Sequence, residues 1–314
     1  MARRITAVTT PLGDARRWAL SERRKEEIVG YLFIAPWVIG FLIFTAGAMI
    51  YSFGLSLYRS DLLSETTFVG LGNYQLLGQD ALFKKSLLIT TLYTALTVPF
   101  GTILALAIAM LLNQKVRPLA FWRTAYYLPA VVSGIAVALI WGWVLQPEYG
   151  LLNNFLRSFG IKGPRWFLSE DWAIIGLVLI ALWGTGTNML LYLAGLQSVP
   201  TELQEAAKLD GAGPWGVFRH VTLPLLTPTV FFNIIINIIG SFQVFNNAYI
   251  LTNGGPNNAT LTLVLYLYRQ AFQLFKFGYA SAIAWALFAI ILIFTLIIMK
   301  TSNLWVHYEG GLRK

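Results

Sequence analysis

The sequence predicts an all-α integral membrane protein with six transmembrane helices, and three observations carry that expectation. The 314 residues are 57% hydrophobic and only 12% charged, whereas soluble domains run about 25% charged. Mean hydropathy is +0.64, more apolar surface than a soluble core of this length can hide. Six apolar runs also reach the about 20 residues that a helix needs to cross a bilayer. Fibrous, disordered and disulfide-rich classes fall away, because Gly 27 and Pro 12 are ordinary counts and Cys is 0. Without cysteine there is no disulfide framework, thiolate zinc site or thiol nucleophile. Two histidines, His220 and His307, are too few for a histidine-built metal centre.

In chain order the runs are 31–57, 86–112, 121–145, 172–196, 225–251 and 279–299. The first is too long for the apolar stretch of a cleaved leader and reads as a retained anchor. Residues 1–29 are polar and are expected to be loose up to about Leu20. The third run carries Arg123 in its first turn. A further apolar stretch, 261–277, holds Arg269, two glutamines and Lys276, and is expected as an interfacial or partly re-entrant helix. Residues 306–314 form a short tail.

Six spans put both termini on one side. The segments on that side carry 15 Lys and Arg, and those on the other carry 8. Positive loops stay cytoplasmic, so both termini are expected inside, with the basic residues meeting lipid headgroups. Basic residues split among short loops do not make a nucleic-acid surface.

What the spans lack narrows the function. They contain no Asp, Glu or Lys, whereas ion- or proton-coupled carriers keep ionisable groups there to bind the coupling ion. A cation-coupled secondary sugar transporter is therefore the weaker alternative. No G-x-x-x-x-G-K-[ST] loop is present, so this chain does not itself cradle ATP phosphates. A membrane enzyme would need clustered acid and base groups, and the loops offer only scattered acids such as Glu148, Glu170 and Asp171. The chain is expected to be a non-enzyme with no cofactor or metal of its own.

Polarity concentrates in the fifth run: Asn233, Asn237, Ser241, Gln243, Asn246 and Asn247. At 100° per residue, Asn233, Asn237, Gly240, Ser241, Gln243 and Asn247 share one arc of about 160°. Asn246 lies off that arc and is kept among the path candidates. A lipid-facing amide is costly, so the arc must meet protein or a wet cavity. Interhelical hydrogen bonding alone would also satisfy such residues. Neutral amides near Trp and Tyr suit an uncharged, hydroxylated solute better than an ion. The fourth run adds Trp183, Thr185, Thr187 and Asn188, interrupted by Gly184 and Gly186, which loosen the helix or let it pack closely.

Between the fourth and fifth runs lies the loop 201–224. Thr201 with Gln204 three residues on has the capping-box pattern. Leu203, Ala206 and Ala207 share a face, and Gly211 ends the helix. Gly213-Pro214 restarts it, since proline suits the first helical position, and Leu223-Pro224 is expected to stop it before the membrane. The result is two short helices around a glycine elbow, with alanines that allow close approach of another protein.

These residues carry a resemblance. Glu205-Ala206-Ala207, then Gly211, then Val221-x-Leu223-Pro224 at this spacing resembles the EAA loop of bacterial ABC-importer permeases, with Val221 where isoleucine is usual. Phe121-Trp-Arg-Thr-Ala-Tyr-Tyr-Leu-Pro129, Gly150-x-x-Asn153, Leu251-Thr-Asn-Gly-Gly-Pro256 and Tyr268-Arg269-Gln-Ala-Phe272 are similar to the carbohydrate-uptake branch, the maltose and glycerol-phosphate type. The likeness covers about 30–305 and lacks the maltose-type subunit's extra N-terminal spans and large outer insertion.

The resemblance implies the type I importer permease fold in a bacterial or archaeal cytoplasmic membrane, with 30–305 as the transmembrane domain. It implies a second homologous permease subunit, paired ABC ATPases that bind ATP and Mg, and an extracytoplasmic sugar-binding protein at the loops 58–85, 146–171 and 252–278. It places ATPase coupling on Glu205, Ala206, Ala207, Asp210, Gly211, Leu223 and Pro224. It places the sugar path on Gly184, Thr185, Asn188, Ser241, Gln243, Asn246 and Asn247. The run Thr185-Gly-Thr-Asn188 departs from the Tyr-Pro-Tyr-like run common there.

Overall fold

A computed structural model describes residues 12–61, 66–114 and 117–307. The chain divides into two units, 1–55 and 56–314. In the first, α1 (Leu12–Gly40) continues through a π-helical stretch, Phe41–Gly47, into α2 (Ala48–Ser56). Residues 24–56 form one helical rod long and apolar enough to cross a membrane. Phe33 and Trp37 are among its many exposed large side chains, and a rod apolar on all sides suits lipid. The stretch expected to be loose is helical from Leu12 onward, whereas 1–11 and the tail 308–314 lie outside the described residues.

The second unit opens with a two-stranded antiparallel ladder, β1 (Tyr58–Arg59) on β2 (Thr67–Phe68), followed by α3 (Gly72–Gln79). The long helix α4 (Ala81–Leu112) starts at Asp80, whose carboxylate accepts from the amides of Leu82 and Phe83 and so satisfies two orphan donors of the first turn. Next come α5 (Leu119–Val131) and α6 (Gly134–Val144), bent by 100° to one another. The run 121–145 is therefore not straight. Pro129 in the last turn of α5 lacks the N–H that would close an intrahelical bond, and Val132 and Ser133 are extended.

A short helix, α7 (Leu151–Ser158), crosses the loop before α8 (Glu170–Trp183) and α9 (Gly186–Gln197). These two meet at 45°, the break falling on Gly184-Thr185. Gly186 both loosens and packs the chain there: a Cβ on it would lie 2.4 Å from the carbonyl oxygen of Tyr126 in α5.

The loop that follows holds α10 (Thr201–Leu209) and α11 (Pro214–Val217); a π turn, Phe218–Thr222, then leads into α12 (Leu223–Phe242). The expected stop at Leu223-Pro224 does not occur. Pro224 sits in the first turn of α12, where its missing N–H costs little, and the wider π turn before it keeps the helix going. Residues 243–245 break the fifth span before α13 (Asn246–Thr252).

Of the segment expected as an interfacial or partly re-entrant helix, 261–271 is largely buried and 272–276 is exposed. In α14 (Leu263–Tyr268) and the π turn Arg269–Gln273, Leu263, Leu265, Tyr266, Gln270 and Ala271 are all buried. Its apolar residues pack on α4 and on α15 (Phe277–Ser302) rather than on headgroups. Thr90 of α4 caps it, accepting from the Leu263 amide at 2.8 Å, and the Thr262 hydroxyl donates to the Val244 carbonyl freed by the break in the fifth span (2.9 Å).

Among the described residues four helices are long and apolar enough to cross a membrane, one of them interrupted at 243–245, and the count is six if each bent pair, α5–α6 and α8–α9, is one span. Two apolar clusters hold the second unit together. One joins Leu77, Tyr93, Leu177, Phe242, Leu265 and Ile283. The other joins Ala105, Ala109, Met189, Tyr192, Leu196 and Leu226. Small residues set the spacing, as expected where lipid offers no hydrophobic drive: a Cβ on Gly195 would come within 2.7 Å of Leu226 and 2.8 Å of Thr229.

Candidate functional site: a polar cavity and an exposed elbow

The helices α4, α8, α9 and α12 line a half-open cavity of about 330 Å³, with Ile236 and Gly240 of its lining exposed. Thr185 and Asn188 enter it from the bend between α8 and α9, and Asn237, Gly240 and Ser241 enter from the last two turns of α12. Tyr93, Thr97 and Gly101 of α4 close the third wall. Gly101 faces the Thr185 methyl, which an added Cβ would approach to 3.6 Å, an ordinary contact. An amide pair bridges the cavity, with Asn188 Nδ2 donating to Asn237 Oδ1 at 2.9 Å. No Asp, Glu, Lys, Arg or His lines it. It offers hydroxyl and amide groups in an apolar frame, which suits a neutral polyhydroxylated solute. A larger cleft of about 510 Å³ beside it, edged by Ile103, Ile234, Phe242 and Phe294, is almost wholly apolar.

Three of the seven expected path residues, Thr185, Asn188 and Ser241, line the cavity. Gly184, Gln243, Asn246 and Asn247 do not. Gly184 caps α8, and Gln243 caps α12 and is exposed. Asn246 opens α13 and faces Gly134 of α6, and Asn247 is half-buried on α13. The projected arc assumed one straight helix, whereas the break at 243–245 resets the angle of everything beyond Phe242. The α4 wall went unnoticed in the sequence, although the repeat Thr90, Tyr93, Thr94, Thr97 and Gly101 puts a polar and small stripe on one helix face.

The elbow lies at the loop between α9 and α12. Gly211 has φ +87°, a conformation only glycine adopts cheaply. Its amide bonds to Lys208 O and the Ala212 amide to Ala207 O, closing both carbonyls of a Schellman end. The expected capping box is not formed. Helix α10 begins at Thr201 itself, behind Pro200, and no side-chain cap bond is made. Glu205, Ala206, Asp210 and Gly211 are exposed, and Ala207, Leu223 and Pro224 are half-buried. Apolar Leu203, Leu209 and Trp215 also stand in the open, Leu209 at 89% exposure. From Pro214, just past the elbow, the chain runs helically to Phe242, so the cavity wall lies on the rod that starts where the elbow ends. At its base Thr227 accepts from the His307 amide at 2.9 Å, and Phe231 packs against Trp305.

Sequence motifs outside the cavity prove structural. Asn153, 2% exposed, donates to Pro147 O and Pro164 O and accepts from Trp166 Nε1 at 2.8 Å. Arg269 donates to Asn253 O beside Gly254 (φ +79°). Asp80 Oδ2 accepts from Tyr279 at 2.5 Å and from Tyr266. Partial burial pushes the Asp80 carboxyl up, but the bonds from Tyr266, Tyr279 and the Phe83 and Leu82 amides outweigh it and hold the carboxyl below its ordinary value.

Spans broken around a polar, charge-free cavity, with an exposed elbow just before the rod that forms one cavity wall, fit a membrane transport subunit. Residues 97–306 match the model of the family described as "Binding-protein-dependent transport system inner membrane component", and the chain belongs to that family. It is similar to the arabinooligosaccharides transport system permease protein AraP of Bacillus subtilis, 38% identical over 285 residues covering 87% of this chain and 88% of that one. The lactose transport system permease protein LacF of Rhizobium radiobacter is 35% identical over 276 residues, covering 85% and 91%. A solved bacterial alginate ABC transporter holds a chain of the same fold, with TM-score 0.79 at 24% identity, covering 90% of this chain and 96% of that one. The chain is an ABC-importer permease subunit, a multi-pass inner-membrane transport component rather than an enzyme.

Proposed function

We propose that the chain passes a neutral saccharide through the cavity between α4, α9 and α12, driven by ATPase subunits docked on the elbow. One observation carries this reading: the helical rod that holds Asn237 and Ser241 of the cavity wall begins at Pro214, directly after the exposed elbow. A partner docked on the elbow therefore pushes at the base of that rod. The exposed apolar residues at the elbow fit a protein partner, and Glu205, Asp210 and Gly211 are its docking positions. ATP and Mg belong to that partner. A second homologous permease completes the path, lipid covers the remaining apolar faces, and both termini lie in the cytoplasm. A binding protein delivers solute to the loops 58–85, 146–171 and 252–278.

The saccharide class rests on the hydroxyl- and amide-lined cavity together with the permeases AraP and LacF. The lack of cationic side chains favours neutral sugars over uronides, since an unpaired carboxylate is costly to desolvate. The test is labelled arabinotriose uptake by cells carrying the whole transporter, with lactose and a uronic-acid trisaccharide as competitors. Uptake that falls with ATP and is competed by the neutral sugars alone supports the reading. Uptake driven by an ion gradient after ATP depletion would overturn it.

A further inference from the structure

The loop 146–171 leads from α6 to α8, at the end of the bent α8–α9 span opposite the elbow. It joins an apolar surface to a basic one. Along α7, Leu151, Phe155 and the capping Phe159 share an arc of about 80°. All three are exposed, and the two phenylalanine rings meet edge to face with centroids 5.1 Å apart. Beside α7 lies a pocket of about 290 Å³ that sets Arg157, Lys162 and Arg165 against one acid, Glu148, with exposed Leu168 also in its lining. Asn153 builds it by tying Pro147 O and Pro164 O to α7. Gly163 has to be bare there, since a Cβ would lie 2.2 Å from Asn153 Oδ1. Arg157 is fixed by donating to Pro147 O at 3.1 Å, Glu148 O at 2.6 Å and Asn154 Oδ1 at 3.2 Å. Lys162 and Arg165, by contrast, are exposed and make no hydrogen bond or ion pair among the described residues. Trp143 near the end of α6, Tyr149, and Trp172 in the first turn of α8 are exposed around the loop. Exposed Trp and Tyr at the ends of spans mark the depth of the lipid headgroups.

We propose that α7 lies in the membrane interface with its Phe155 face among acyl chains, and that the pocket of Arg157, Lys162 and Arg165 holds the phosphate of an anionic phospholipid. A short helix with aromatic side chains on one face and cations beside the other has the pattern of an interfacial anchor, and the aromatic ring of Trp143, Tyr149 and Trp172 sets it at that depth. Basic pockets at the ends of spans take lipid headgroups. Arg157 keeps donors beyond the three it spends on its own loop, and Lys162 and Arg165 have all of theirs to give. The pocket carries more positive than negative charge, so a zwitterionic headgroup, which brings a cation of its own, fits it less well than an anionic one. A bound lipid pins the loop 146–171 at a fixed depth and turns its Phe155 face away from any protein docked above.

The chain has no cysteine, so an introduced thiol is the one site of this chain that takes a bimane label. Phe155→Cys and Leu168→Cys, both at exposed positions, are labelled singly on this chain, which is then assembled into the transporter in phosphatidylcholine vesicles. The vesicles are doped with a lipid bearing a nitroxide near its acyl carbonyl. Bimane at Phe155→Cys should be quenched by the lipid nitroxide and spared by aqueous iodide. At Leu168→Cys, nitroxide phosphatidylglycerol should quench severalfold more than nitroxide phosphatidylcholine. Adding Lys162→Gln and Arg165→Gln together, at side chains that make no bonds, should erase that preference, whereas Lys84→Gln, an exposed cation of α4, should keep it. Quenching at Phe155→Cys by iodide alone, relieved when the binding protein is added, would give the face to that protein and overturn the membrane contact. Equal quenching by the two lipids at Leu168→Cys, or a preference that survives loss of Lys162 and Arg165, would overturn the headgroup site. These readouts need neither sugar nor ATP, so their outcome is independent of the saccharide reading.

Discussion

The two ends of the second unit are built on opposite principles. The end carrying residues 58–61, 66–80, 146–171 and 253–276 ties its polar groups together. Asp80 accepts from Tyr266 and Tyr279 far along the chain, Asn153 and Arg269 each make several bonds within their own loops, and Gly278 admits the Tyr58 carbonyl where a Cβ would lie 1.9 Å from its oxygen. Both ends expose apolar side chains, but the loop carrying the elbow closes little beyond its own helix ends. A frame that satisfies itself holds shape, and a loop that does not is shaped for another surface.

The contrast can be broken by mutation, and the largest effect should come from the elbow. Gly211→Val forces a β-branched residue to φ +87°, at a local cost of about 1–2 kcal/mol. Uptake should be lost, while the Tm of the purified chain in detergent moves by only a few degrees. The frame should behave the other way. Asn153→Ala strands the Trp166 indole N–H and two carbonyls, so about 2–4 kcal/mol of stability and several degrees of Tm should go.

Asp80→Asn keeps a good cap but replaces the acceptor of two tyrosine hydroxyls, for about 1 kcal/mol. The pH dependence sharpens this case. The folded carboxyl lies below its ordinary value of 3.8. The native aspartate's advantage over Asp80→Asn should therefore be complete above that value and vanish as pH falls through the lower, folded one. Acid titrations of Tm for both proteins check this. Smallest of all, Leu209→Ala, at an open position, should leave stability within about 0.5 kcal/mol of the wild type yet reduce recovery of ATPase subunits with the tagged chain.

The sequence made some of this legible and hid the rest for physical reasons. Composition and span length pointed to the membrane, and the Gly211 elbow was plain because only glycine turns a helix end so cheaply. Thr185, Asn188 and Ser241 could be singled out because polar residues in apolar runs are conspicuous. The breaks at 132–133 and 243–245 could not. A broken helix exposes carbonyls that something must satisfy, and for Val244 that partner is Thr262, eighteen residues away. The burial of 261–271 likewise involves Thr90 of α4, which accepts from the Leu263 amide from far along the chain. The capping box failed because Pro200 already supplies the extended residue before α10, leaving Thr201 inside the helix.

The most direct test of the account is recovery of the ATPase subunits with this chain, comparing Glu205→Arg at the elbow with Asn153→Ala in the frame. The account predicts that the ATPase is lost from Glu205→Arg, which retains wild-type Tm, and is recovered with whatever Asn153→Ala protein remains folded. Full recovery with Glu205→Arg would contradict it.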